Sequence, residues 1–157
     1  RDTLRPYIAG GTVRVVMERH HDAWSPEQAR QTVEAAVRST GGEIHAILAH
    51  NSGMARGAVQ GIQAAGLAER EMFIAGADAD AANVNYLCQQ KQSVEVLKDI
   101  RPLATQAAIV AARLAAPGGG EWPAQTVPVV LVTPDNVQKT MIDTGFHAPG
   151  ELPSCNP

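Results

Sequence analysis

The sequence predicts an α/β fold in which a parallel sheet carries helices on both faces. Short apolar runs rich in Val and Ile alternate with longer segments of helical character along most of the chain, and this alternation is typical of βαβ units. The length of 157 residues and the hydrophobic fraction of 45% suit one sizeable core. We expect an α/β domain at residues 1–132, followed by a C-terminal arm at residues 133–157.

The first elements each have a local signal. Residues 1–10 have the character of a helix end closed by two glycines, and the β-branched run at residues 12–17 (TVRVVM) predicts a buried strand. Ser25 is a candidate N-cap and Pro26 suits the first helical position. A helix is therefore expected at residues 26–40.

The middle of the chain repeats this period. Its strands are short apolar runs, and its helices are rich in Ala and other small apolar residues. In chain order we expect strand 44–49, helix 54–65, strand 72–75, helix 79–88, strand 93–97 and helix 101–115.

A glycine-rich break at residues 117–120 ends the alternation. We interpret it as a surface loop anchored by Trp122, because no helix follows it as a phosphate-binding loop would require. The apolar residues 127–132 predict a strand, and Pro128 confines it to a sheet edge or a crossing between lobes. From Thr133 onward we expect a short helical turn and a loosely held arm.

Composition excludes several functional classes. The net charge of −3 and the absence of charge blocks argue against binding to nucleic acid or to an anionic membrane. The neighbouring His20 and His21 would point to opposite faces of a strand, so we expect no metal site there. No nucleophile–base pair is evident, so we expect no enzyme and no cofactor. Cys88 and Cys155 are equally compatible with a bridge and with two free thiols.

Four residues stand just past the ends of predicted strands: Trp24, Asn51, Asp78 and Lys98. Ligands bind at the carboxyl edge of an open parallel sheet, so these side chains are expected to converge. An aromatic face packs against the C–H side of a pyranose ring, and polar groups of these types satisfy its hydroxyls. The set predicts a site for a small polyol. Capping of the next helix is the alternative for Asn51 and Asp78, a solvated surface position for Lys98, and the core for Trp24.

Six short stretches occur in a recognisable order along nearly the whole chain. They are Arg5-Pro6-Tyr7-Ile8, His21-Asp22-Ala23-Trp24-Ser25-Pro26-Glu27, Ala49-His50-Asn51-Ser52-Gly53-Met54-Ala55, Gly76-Ala77-Asp78-Ala79-Asp80, Leu131-Val132-Thr133-Pro134 and Gly145-Phe146-His147. In order and spacing they resemble the C-terminal lobe of the type I, ribose-like periplasmic sugar-binding proteins of ABC importers, and within that family the D-xylose-binding branch.

The resemblance implies a periplasmic solute-binding protein that holds a monosaccharide between two lobes and delivers it to a membrane permease. The family's ligand-binding positions fall on Trp24, Asn51, Asp78 and Lys98. Where the family usually has Tyr-Lys-Pro, this chain has Leu-Lys-Asp, which puts Asp99 where it can pair with Lys98. The alternative function is the effector-sensing domain of a sugar-responsive transcription regulator.

The resemblance covers only one of the two lobes. The sequence starts with Arg1 and neither an initiator Met nor a signal peptide, so we expect more chain upstream. By comparison with the family, the N-terminal lobe is absent, as are the first strand and most of the first helix of this lobe. We expect the missing part to belong to the same protein or to a separate partner chain, because the open strand edge needs a neighbour.

Overall fold

The computed structural model describes residues 2–68, 72–118 and 120–155. Its sheet has four strands in the order β1-β2-β3-β4. The first three run parallel and β4 runs antiparallel to β3, so the sheet is mixed. The strands are β1 (Ala46–Leu48), β2 (Phe73–Ala77), β3 (Val94–Leu97) and β4 (Val130–Val132).

Helices precede and separate these strands. They are α1 (Arg5–Ala9), α2 (Pro26–Thr40), α3 (Ser52–Ala64), α4 (Ala81–Cys88) and α5 (Ile100–Ala115). The predicted N-cap of α2 is confirmed, since the Ser25 hydroxyl accepts a hydrogen bond from the Gln28 amide at 3.3 Å. The α/β fold class is confirmed, and each predicted helix forms within a few residues of its expected bounds.

The register of the sheet decides which side chains share a face. Gly76 pairs with Glu95, and Glu95 pairs with Val132, so these residues and every second neighbour point to one side. That side is covered by α3, α4 and the C-terminal segment, and Ile74 and Glu95 on it are fully buried. On the opposite side the largest apolar side chains remain open to solvent. They are Leu48 at 58%, Phe73 at 50% and Leu131 at 59% exposure.

The covered side is packed in two apolar clusters. One joins Val33 of α2 to Val59 and Ile62 of α3 and to Ile74 of β2. The close approach of the two helices depends on glycine, because a Cβ on Gly57 would overlap the backbone of Pro26. The second cluster joins α4 to the ends of β3 and β4 and to residues of the C-terminal segment.

The predicted strand at residues 12–17 is wrong. Residues 13–21 have no regular secondary structure, and Val15 and Val16 are 54% and 38% exposed. A β-branched run becomes a strand only when a neighbour completes its ladder. Among the described residues no segment pairs with it, and β1 is likewise left with one open edge.

The C-terminal segment is firmly packed, so the prediction of a loosely held arm after Thr133 is wrong. Met141 and Leu152 are fully buried in the second cluster, and a disulfide joins Cys155 to Cys88 of α4 across a Cα–Cα distance of 5.1 Å. The question left open for the two cysteines is thus answered as a bridge. The segment completes the core, while the domain boundary at residue 132 stays a prediction.

The segment around β4 agrees with its sequence. Pro128 lies outside the strand, which begins at Val130 and forms the sheet edge. Before it, Trp122 stacks under the guanidinium of Arg113, 4.2 Å from the ring centre, so the loop is anchored on α5 as expected.

Helix α5 itself buries none of its residues. No helix in the described ranges combines the length and apolar character that a membrane span needs.

Candidate functional site

The carboxyl ends of three neighbouring parallel strands bring three of the four predicted residues to one rim. Asn51 follows β1, Asp78 follows β2 directly, and Lys98 follows β3 directly. Because β1, β2 and β3 are consecutive in the sheet, their carboxyl ends form one edge, which is where ligands bind in open α/β sheets. The rim expected from the sequence is therefore present for these three residues.

Asp78 and Lys98 are in direct contact. The Lys98 ammonium nitrogen lies 2.8 Å from Asp78 Oδ1, and the side chains of Lys98 and Asp78 are 52% and 43% exposed. Asp99 does not pair with Lys98, although the sequence allowed this pairing. Asp99 instead caps α5 through the Arg101 amide at 3.0 Å and pairs with the Arg101 guanidinium at 2.7 Å, and these hydrogen bonds lower the pKa of Asp99.

Asn51 caps α3, as its alternative interpretation predicted. Its side-chain oxygen accepts a hydrogen bond from the Met54 amide at 2.8 Å. The cap uses only the oxygen, and no group among the described residues accepts from the amide nitrogen. Asn51 can therefore hold its helix and still donate to a ligand at the rim.

Trp24 is not brought to the rim by a strand, because the strand expected to precede it does not form. It ends a short turn in which Ala23 and Trp24 both have left-handed backbone, with φ of 53° and 55°. Two residues later Pro26 packs near Gly53 at the start of α3, where an added Cβ would lie 3.4 Å from its ring. The indole is 56% exposed, so Trp24 is not a core residue.

The turn that carries Asp78 has unusual backbone geometry. Asp78 has φ of 98° and Ala79 has φ of 58°, a region that side-chain-bearing residues seldom occupy. The Asp78 amide donates to the Val96 carbonyl at 2.9 Å, and the Ala79 amide donates to Glu95 Oε2 at 3.0 Å. Both bonds tie this turn to β3.

Glu95 is a fully buried carboxyl directly beneath the rim. Besides Ala79, the Ser52 hydroxyl lies 2.9 Å from its Oε2 and the Gln92 amide nitrogen 2.5 Å from its Oε1. Burial raises the pKa of Glu95, although these hydrogen bonds act in the opposite direction. This group was not among the site residues predicted from the sequence. The sequence does contain a sign of it, because Glu95 stands between two valines in the strand Val94–Leu97. A charged residue inside such an apolar run needs buried polar partners.

The second aspartate of the Asp-Ala-Asp segment faces a different partner. Asp80 pairs with Arg56 of α3 at 2.9 Å, and Arg56 also donates to Asn83 of α4 at 2.5 Å. The buried Asn83 in turn donates to Gln92 at 2.8 Å. This network joins α3, α4 and β3 and leaves Asp78 as the acid that pairs with Lys98 at the rim.

The rim is suited to hydrogen bonding with neutral polar ligands. In the described part of the chain, no three His, Cys, Asp or Glu side chains are grouped so that they could hold a metal ion. The Asp78–Lys98 pair places a strong acceptor beside a strong donor, a geometry that matches two neighbouring hydroxyls of a polyol. The Asn51 amide adds a donor from the neighbouring strand end.

Comparison with known proteins gives one family model and several relatives. Residues 1–121 match the model described as periplasmic binding protein domain. The D-xylose-binding periplasmic protein of Escherichia coli is 34% identical over 95% of this chain and 48% of its own length. The protein of the same name from Haemophilus influenzae is also 34% identical, over 92% of this chain and 46% of its own length.

A solved structure shares the fold. An ABC transporter solute-binding protein from Clostridium phytofermentans, crystallised with β-D-glucose, has a TM-score of 0.76 and 25% identity over 96% of this chain and 53% of its own chain. The present chain thus spans about half the length of the curated relatives that it matches.

Proposed function

The chain belongs to the periplasmic binding protein domain family, and on that premise we propose that it is one lobe of the solute-binding component of an ABC sugar importer. The ligand is a monosaccharide, D-xylose or a similar pentose, bound between this lobe and an N-terminal lobe. The protein binds without catalysing a reaction, and it delivers the sugar from the periplasm to a membrane permease by closing around it.

The observation that carries the proposal is the half-exposed Asp78–Lys98 pair at the carboxyl edge of the sheet. One sugar hydroxyl donates to the Asp78 carboxylate, and its neighbour accepts from the Lys98 ammonium. Asn51 donates from the adjacent strand end, and the ring of Trp24 covers the C–H face of the sugar. Two relatives that are 34% identical carry the name D-xylose-binding periplasmic protein, which supports a pentose as the ligand.

Two features of the sheet support a missing lobe and a missing strand. The outer edge of β1 is unpaired among the described residues, and the sheet face with Leu48 and Phe73 is open. An exposed strand edge and a contiguous apolar face normally mark surfaces that another segment covers. We place the upstream strand between β1 and residues 12–17, where it completes both ladders.

Location in the periplasm is supported by the disulfide between Cys88 and Cys155, since disulfides persist in oxidising compartments. The curated relatives are periplasmic proteins by name. The same bridge argues against the cytoplasmic regulator considered above as the alternative, because thiols in that compartment are kept reduced.

The proposal is tested by titrating the full-length gene product with D-xylose, ribose, arabinose and glucose while recording tryptophan emission and binding heat. A Trp24→Phe variant shows whether this side chain contributes to the change in emission. We expect micromolar affinity for one pentose. Asp78→Ala should weaken it roughly 10- to 100-fold, because a hydrogen bond to a charged group contributes about 1.5–3 kcal/mol.

The matched control is Asp135→Ala, which removes an exposed acid far from the rim in sequence and should leave affinity unchanged. Retained affinity after simultaneous Asn51→Ala and Asp78→Ala substitution would refute the site. No response to any of the four sugars would refute the sugar-binding function itself. Intact-mass and N-terminal analysis of the same material tests whether an upstream lobe is present.

A further inference from the structure

The Asp78–Ala79 turn occupies a backbone conformation that it would not adopt by itself. Two consecutive residues with side chains have positive φ, 98° and 58°. Left-handed backbone costs roughly 1–2 kcal/mol for each such residue. Conformations of this kind persist only where surrounding groups fix them, so the partners of the turn determine where the Asp78 carboxylate lies.

Glu95 holds the turn from beneath through the Ala79 amide at 3.0 Å. The carbonyl of Ala79 has a partner from a distant part of the chain. His147 Nε2 lies 2.8 Å from Ala79 O. A carbonyl oxygen only accepts, so Nε2 must carry the hydrogen and donate it. Ala79 is thus bound at both its amide and its carbonyl.

His147 is well placed to be a rigid donor. Its side chain is 13% exposed, and Nδ1 lies 3.6 Å from Glu151 Oε2. The ring packs edge-on against Phe146 at 5.0 Å between centres. The segment around it is fixed by the burial of Met141 and by the disulfide at Cys155, so the position of His147 is set independently of the rim.

We propose that His147 is a positioning residue for Asp78: by donating to the Ala79 carbonyl it holds the left-handed turn that directs the Asp78 carboxylate toward Lys98 and the ligand. The proposal rests on the sugar-binding function proposed above. The C-terminal segment thereby contributes to affinity, although the side chain of His147 acts only through the turn and does not contact the ligand.

The test compares His147→Ala with His147→Gln in the full-length gene product, using the best sugar of the titration. The Gln side chain can place an amide nitrogen near the position of Nε2 and restore the donated hydrogen bond. We expect His147→Ala to weaken binding roughly 3- to 10-fold, as the loss of one hydrogen bond implies, and His147→Gln to stay within about twofold of wild type. In an Asp78→Ala background, His147→Ala should have no further effect.

A second measurement needs no ligand. Amide hydrogen exchange of Ala79 should speed up in His147→Ala and return toward the wild-type rate in His147→Gln, because the hydrogen bond keeps the turn closed. Unchanged exchange in His147→Ala overturns the proposal even if no sugar binds. When sugar does bind, equal losses of affinity with and without Asp78, or a His147→Gln variant as weak as His147→Ala, also overturn it.

Discussion

Gly76 lies where the sheet and α3 leave no room for a side chain, and Gly76→Ala therefore tests the packing beneath the candidate site. A Cβ at this position would overlap Glu95 Oε1 and lie 2.9 Å from both Ala55 Cβ and Gln92 Nε2. These atoms belong to buried groups, so the methyl group cannot turn aside to solvent. Glu95 must move, and it then loses the hydrogen bond from Gln92 that lies at 2.5 Å.

The expected loss of stability combines two effects. Overpacking of a well-packed site costs about 1–3 kcal/mol, and a buried donor left without its acceptor costs about 1–3 kcal/mol more. We expect Gly76→Ala to lower the free energy of unfolding by about 2–6 kcal/mol, which is a large part of the stability of an ordinary domain. The measurement is urea unfolding followed by far-ultraviolet circular dichroism.

The control is Gly150→Ala, because an added Cβ there meets no atom within 4 Å. It should change stability by less than about 0.5 kcal/mol. If the steric argument is right, Gly76→Ala should cost less stability in a Glu95→Ala background than in wild type, because the overlapping oxygen is absent there. A Gly76→Ala protein with the unfolding midpoint of wild type would refute the packing described here.

Two further outcomes follow from the disulfide and the buried acid. Reduction of the Cys88–Cys155 bridge, which spans 67 residues, should lower the free energy of unfolding by about 4 kcal/mol in the chain-entropy description; an unchanged melting temperature after complete reduction, verified by thiol titration, would contradict this. Because burial raises the native pKa of Glu95, the native state holds its proton more tightly than the unfolded state does. The free energy of unfolding should thus fall as the pH rises from the ordinary carboxyl pKa through the raised pKa of Glu95. Urea titrations between about pH 4 and pH 8 should show a smaller fall for Glu95→Gln than for wild type. An equal dependence on pH in both proteins would refute this role of Glu95.

The local elements were predictable because their causes lie within a few residues. Ser25 caps α2 and Asn51 caps α3 through amides only three positions away, and a capping pattern of that span is visible in the sequence. The alternation of short apolar runs with helices fixed the α/β class in the same way. The order of strand ends then brought Asn51, Asp78 and Lys98 to one rim, although their role as ligand-binding residues stays a prediction.

What only the tertiary structure decided depends on residues far apart in the chain. Residues 12–17 have the composition of a strand but no neighbour in the described structure, and a ladder cannot form from one side alone. Lys98 pairs with Asp78 across two strands while the adjacent Asp99 turns to Arg101.

The support beneath the rim has the same origin. Glu95 meets Ser52 from 43 positions away, and His147 meets Ala79 from 68 positions away. Sequence periodicity reports which face of an element is apolar, but a buried polar contact is set by where two distant backbones meet. The sequence therefore determined that Asn51, Asp78 and Lys98 meet at the rim, because each follows the end of a strand, and the folded chain decided what holds the Asp78 turn in place.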